Sequence, residues 1–162
     1  LAHEDPLTGL PNRRRFDEAL AHEFARSVRS GEAWSLAMID IDHFKQVNDR
    51  HSHAVGDQAL RAVAGVLRAC GRDMDTVARL GGEEFALLMP HTALAQALGV
   101  CERLRMAVRS HDCGDIAPGL AVTISIGVAA WPQHPDPAAV MAAADAALYR
   151  AKTGGRDRVM AG

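Results

Sequence analysis

Residues 79–89 read RLGGEEFALLM, with two adjacent carboxylates, Glu83 and Glu84, on a Gly-Gly turn between apolar runs. The flanking TVARL and EFALLM have the short, apolar character of strands. Taken as a two-residue loop, Gly81 and Gly82 suit a type I′ turn, which needs positive φ at both central positions. The stretch is expected to be a β-hairpin with the acid pair at its tip. Two acids in a turn, read alone, do no more than solvate it, so a chemical role depends on what the fold brings alongside.

Upstream, residues 33–41 (AWSLAMIDI) form a short, mostly apolar run expected of a buried central strand, with Asp40 and Asp42 at its C-terminal end. Residues 12–29 place Phe16, Leu20, Phe24 and Val28 four apart, the stripe of an amphipathic helix with Asn12 as N-cap. After the strand, HFKQVNDRHSHAVGD leads into a second helical stripe of Leu60, Val63, Ala64 and Leu67. Beyond the hairpin, the pattern predicts a helix over 92–109, a β-branched strand over 119–131 and a helix with prolines at its start in PDPAAVMAAADAALYRAK. The tail TGGRDRV reads as a loop followed by an edge strand. This mixed order argues an α/β or α+β sandwich, with residues 1–162 as one domain.

Composition excludes several classes of function. Eighteen basic against twenty acidic residues give a formal charge of −2, so no global basic field exists to hold a nucleic-acid polymer or an anionic membrane. Any anion site must be local. Cys70, Cys101 and Cys113 are odd in number and lack CxxC spacing, which argues against a disulfide framework or a zinc site and suits a reducing, cytoplasmic setting. No apolar run approaches the ~18 residues of a membrane span. The chain begins at Leu1 rather than Met, which leads us to expect a piece of something longer.

If the strand ending at Asp40 lies beside the hairpin tip, three or four carboxylates meet, and such a cluster repels itself unless a cation sits in it. Oxygen ligands without nearby His or Cys favour Mg²⁺ or Mn²⁺, and Mg²⁺ commonly shares its sphere with substrate phosphates. Phosphoryl or nucleotidyl transfer is the chemistry that follows.

The whole chain resembles the diguanylate cyclase family, called GGDEF after its hairpin signature, which reads GGEEF here. Six ordered motifs carry the resemblance: DPLTGLPNRR at 5–14, DIDHFKQVND at 40–49, Gly56 with Asp57, ARLGGEEF, ISIGVA at 124–129, and ADAALYRAKTGGRDRV ending at Val159. It implies condensation of two GTP molecules into cyclic di-GMP with release of two pyrophosphates, on a homodimer. The implied fold is a five-stranded central mixed sheet flanked by helices, similar to adenylyl cyclases and polymerase palms.

The resemblance also implies site residues. Asp40, the backbone carbonyl of Ile41, and Glu83 match the metal ligands, with Glu84 assisting and two Mg²⁺ (or Mn²⁺) per site; Glu83 also matches the base for the 3′-hydroxyl. Asn48 and Asp57 match the guanine-holding residues, and a carboxylate suits guanine because N1-H and the amino group both donate. Lys45, Lys152 and Arg156 match cations around the triphosphate. His53 matches a histidine near ribose and guanine, where the usual Phe-Gly-His reads His51-Ser52-His53; if the middle position needs positive φ, Ser52 adds strain. RDMD at 72–75 matches an inhibitory RxxD site for the product, formed by Arg72 and Asp75, with Arg103 as a secondary contact. The rival readings are an inactive GGDEF domain that binds GTP or cyclic di-GMP as a sensor, and an interaction module of a larger signalling protein.

Overall fold

The structure, a computed structural model, describes residues 2–162. Its elements in chain order are α1 (Arg13–Ser30), β1 (Trp34–Ile41), α2 (Phe44–Arg50), α3 (His53–Cys70), β2 (Thr76–Gly81), β3 (Glu84–Met89), α4 (Leu94–Ser110), β4 (Ile124–Trp131), α5 (Pro137–Thr153) and β5 (Val159–Ala161). The strands form one mixed sheet in the order β2-β3-β1-β4-β5, antiparallel throughout except for β4 with β5.

All eight residues of β1 are buried because helices cover both faces of the sheet, which explains why its sequence is a continuous apolar run rather than an alternating one. Side chains still alternate between two cores. Ala37, Ile39 and Ile41 join α3 and α4, whereas Trp34, Leu36 and Met38 join α1 and α5. Asp40 therefore falls on the α1 and α5 side. On β4 the same side carries Gly127, and α5 lies directly on it: a Cβ there would stand 2.1 Å from the Ala144 carbonyl oxygen and 2.2 Å from the Leu148 nitrogen.

The helical stripe of α1 departs from its expected course. Phe16 and Leu20 are buried, but the face then turns through Glu23 and Ser27, leaving Val28 exposed. Steps of four overshoot a 3.6-residue turn by about 40° each, so a strict i+4 series drifts off the buried face. The polar residues that take its place are partnered: Ser27 Oγ accepts from Trp34 Nε1 at 3.0 Å, and Glu23 pairs with Arg26. Asn12 caps α1 as expected, accepting from the Arg15 nitrogen.

Three other expectations need correction. The two-residue loop of the hairpin is Gly82-Glu83 rather than Gly81-Gly82, since Gly81 pairs with Glu84 across a register shift. Positive φ occurs at Gly81 and Gly82 but not at Glu83, which excludes type I′. The strand expected over 119–131 begins only at Ile124. Ser52 carries no strain: its φ of −176° is extended, and its hydroxyl caps α3 by accepting from the Val55 nitrogen.

Because α5 touches β4 through backbone, Gly127→Ala should destabilise the fold by about 3 kcal/mol, the upper range for overpacking. The check is urea unfolding, where the midpoint should fall with an unchanged slope.

Candidate active site

The end of β1 and the hairpin tip meet at one rim of the sheet. Asp40 is in register with Glu84, and the Ile41 nitrogen donates to the Glu83 carbonyl at 3.2 Å. From the last turn of α5, Lys152 brings its ammonium to Asp40 Oδ2. Asp40 is only 5% exposed, and its Oδ1 is buried without a hydrogen-bond partner. A buried carboxylate oxygen that accepts nothing is costly and fits a position where a cation is to be bound. With the Ile41 carbonyl and Glu83 beside it, the donor set is all oxygen and suits a hard divalent ion.

A pocket of about 310 Å³ opens here, lined by Asp40, Ile41, Glu83, Lys45, Lys152 and Arg156 among others. Burial pushes the Lys152 ammonium below the ordinary lysine range, and the Arg156 charge acts the same way. Arg156 reaches the pocket from a backbone with φ of 63°, followed by Asp157 at 46°.

Three carboxylates, Asp40, Asp42 and Glu83, line this pocket without closing into a ready-made metal cage. Among the described residues no three His, Cys, Asp or Glu side chains are grouped closely enough to hold a metal by themselves. Asp40, Asp42 and Glu83 share the pocket, while exposed Glu84 is not part of its lining. Both oxygens of Asp42 already accept from protein donors: Oδ1 from Ser125 Oγ at 2.6 Å, and Oδ2 from Thr123 Oγ1 at 2.7 Å and the Asp157 nitrogen at 3.0 Å.

The expected base-reading residues lie on a neighbouring surface. Asn48 is on α2, and His53 and Asp57 are exposed in the first turns of α3. Asn48 packs onto Gly56 so closely that a Cβ there would lie 1.9 Å from its Oδ1. Gly56 is thus required for the seat of Asn48. At the far end of α3, Arg72 and Asp75 form a two-pronged pair, Nε to Oδ2 at 3.0 Å and Nη2 to Oδ1 at 2.9 Å, and Arg72 also donates to Thr92 Oγ1. The hydrogen bond to Asp75 raises the Arg72 pKa further. Arg103 is exposed on α4 and makes no hydrogen bond to that pair.

A family profile, diguanylate cyclase GGDEF domain, matches residues 2–158. The chain belongs to the GGDEF diguanylate cyclase family. Diguanylate cyclase DgcP of Pseudomonas aeruginosa is 46% identical over 155 residues, covering 96% of this chain and 23% of DgcP. Response regulator PleD of Caulobacter vibrioides is 44% identical over 164 residues, covering 99% of this chain and 36% of PleD. The crystal structure of the GGDEF domain of DgcB from Caulobacter crescentus in complex with c-di-GMP superimposes with a TM-score of 0.93 at 39% identity, covering 99% of this chain and 96% of that one. This GGDEF chain spans well under half the length of the two curated relatives. Its five-stranded mixed sheet with helices on both faces is the palm-like GGDEF fold expected from the motifs.

Asp5 and Arg79 stand within two of the sequence motifs and have a role that spacing alone does not show. Arg79 donates through Nε and Nη2 to the Gly82 carbonyl at 3.0 and 2.9 Å, and through Nη1 to Asp5 Oδ1 at 2.9 Å. It ties the GGEEF tip to the N-terminal DPLTGL segment. Burial pushes the Asp5 carboxyl up, but hydrogen bonds from Thr8 and the charge of Arg79 outweigh it and leave its pKa below the usual value. Asp5→Asn should therefore cost about 1–2 kcal/mol at neutral pH. A carboxylate with a depressed folded pKa contributes stability above its unfolded pKa of about 4 and loses it as pH falls through the folded value. Urea unfolding of parent and variant from pH 6 to pH 3 should show the two curves converging in acid.

Proposed function

We propose that this chain condenses two GTP molecules into cyclic di-GMP and two pyrophosphates. The observation that carries the proposal is the buried, unpartnered oxygen of Asp40, a residue that lines a pocket together with Glu83, Lys45, Lys152 and Arg156. Each 3′-hydroxyl forms a bond to the α-phosphorus of the other nucleotide, and the bond from that phosphorus to the β-phosphate oxygen breaks. Glu83 takes the hydroxyl proton, and pyrophosphate carries away the leaving electron pair. Asp40, the Ile41 carbonyl and Glu83, assisted by Glu84, would hold two Mg²⁺ or Mn²⁺ ions, whose chemistry is to polarise the attacked phosphorus.

Lys45, Lys152 and Arg156 neutralise the triphosphate, and Lys152 exchanges its bond to Asp40 for a phosphate oxygen when substrate enters. Asn48 and Asp57 read the guanine edge, with His53 near the ribose. Two copies must face each other, because a single site cannot close the ring. The 162 residues then act as the cyclase domain of a longer cytoplasmic signalling protein. Product feedback follows at Arg72, Asp75 and Arg103, where cyclic di-GMP must replace the bonds that Arg72 and Asp75 make to each other. The DgcB domain with bound c-di-GMP lends support to a product site.

Incubation with GTP and Mg²⁺, read by mass spectrometry, separates an active cyclase from a sensor that only binds. Glu83→Gln should lower turnover roughly 10²- to 10⁴-fold, the worth of a general base alone, with the melting temperature unchanged. Activity within tenfold of the parent at saturating Mg²⁺ would remove Glu83 from the mechanism. Arg72→Ala should weaken cyclic di-GMP binding by about tenfold or more in a calorimetric titration, the loss of a charged hydrogen-bonding partner, while initial rates stay near those of the parent. Equal binding would reduce RDMD to a surface ion pair.

A further inference from the structure

The segment joining α5 to β5 carries two consecutive non-glycine residues in the left-handed region, Arg156 at φ 63° and Asp157 at φ 46°. L-residues adopt this region at a cost in free energy, and two in a row persist only where surrounding contacts over-determine them. Those contacts come from three directions. The Arg156 nitrogen donates to the Ala151 carbonyl at 2.9 Å, closing off the helix, and the Arg158 carbonyl accepts from the Ile126 nitrogen at 3.0 Å. The Asp157 nitrogen donates to Asp42 Oδ2 at 3.0 Å. The Asp157 side chain accepts from two arginines of α4, Arg105 Nη1 at 2.7 Å and Arg109 Nη1 at 3.0 Å.

Asp42 stands two residues after Asp40 and is 6% exposed, which by position alone would make it a second candidate for cation binding. Its hydrogen bonds point to a different role. Both oxygens are occupied by Ser125 and Thr123 hydroxyls and by the Asp157 nitrogen, all neutral donors with fixed positions on β4, the strand's approach and the loop. Asp42 is a rigid acceptor that fixes the backbone one residue after Arg156, while Arg105 and Arg109 fix the side chain of that same residue.

We infer that Asp42 and Asp157 are positioning residues that aim Arg156 into the pocket, and that triphosphate affinity depends on them through Arg156. The inference deepens the proposed reading of the site and rests on it: Asp42 lines the pocket, but both its oxygens are already taken by protein donors, and the effect of the two aspartates passes through the strained loop that their contacts hold in place. Asp157→Gly is the informative variant, since glycine accepts φ of 46° without penalty and the substitution removes the carboxylate held by Arg105 and Arg109, leaving the 3.4 Å contact from Arg105 Nη1 to the residue 157 carbonyl. Asp42→Asn perturbs the other grip by placing an amide donor where an acceptor is needed.

The test is calorimetric GTP binding to the parent, Asp157→Gly, Asp42→Asn, Arg156→Ala and the Asp157→Gly, Arg156→Ala double variant, with amide hydrogen exchange over 154–158 measured on each. Arg156→Ala should weaken GTP binding by about tenfold or more, as expected for a charged hydrogen-bonding partner. Asp157→Gly should lose a similar factor and speed exchange in 154–158 alone, and the double variant should bind no worse than Arg156→Ala. Should Asp42→Asn fail to fold, the Asp157→Gly cycle still decides. Parent-like binding by Asp157→Gly, or losses that simply add in the double variant, would overturn the inference while leaving Arg156 as a phosphate cation. Parent-like binding by Arg156→Ala would overturn it by removing Arg156 from the site, an outcome that synthesis of cyclic di-GMP by the parent distinguishes from failure of the cyclase reading.

Discussion

Burying the Asp40 carboxylate on the sheet face covered by α5 costs several kcal/mol unless positive charge meets it, and the ends of several elements are arranged around that requirement. Lys152 supplies the charge from the last turn of α5, and it can do so only because α5 is seated on β4 at Gly127, with Leu148 one helical turn before the lysine. The second oxygen is left without a hydrogen-bond partner. The hairpin tip is in turn fixed by Arg79, whose guanidinium spans the Gly82 carbonyl and Asp5, so the side chain of Glu83 presents itself to the same pocket from a defined direction.

Three aspartates within this small region illustrate how surroundings assign roles to one residue type. Asp40 has an ammonium on one oxygen and no hydrogen-bond partner on the other. Asp42, two residues along, is saturated by neutral donors and behaves as a structural acceptor. Asp157 is neutralised by two guanidinium groups and holds a loop to α4. Their sequence neighbours do not predict this division; the partners do, and those partners sit on other elements.

That is also where legibility ended. The continuous apolar run of β1, the hairpin with its glycines and the prolines opening α5 are local signals, and each placed its element within a few residues. The candidate residues lining the pocket came from short motifs and are brought together as expected for Asp40, Ile41, Glu83, Lys45, Lys152 and Arg156. Contacts at large separation left no local trace: Arg79 reaches 74 residues back to Asp5, and Asp42 meets Asp157 across 115 residues. The hairpin was misread by one position because both residues 81 and 82 are glycine, so composition could not say which pair forms the loop. The condition for strain at Ser52 is not met, because serine there takes an extended backbone and acts as a helix cap, a role independent of the conformation that a glycine adopts.

The bare backbone at Gly127 has a consequence for rebuilding the molecule. Since α5 is seated on the sheet by direct backbone contact at Ala144 and Leu148, the position of Lys152 is set closer to Gly127 than to the exposed connection entering the helix, which contributes the Asp136 cap. Exposed connections that do not set the register of a functional element are the natural addresses for grafting. A light-sensitive or ligand-sensitive module inserted there would act on the entry of the helix while its far end stayed referenced to β4, so mechanical input would arrive as a twist of α5 rather than as a shift of the reaction centre.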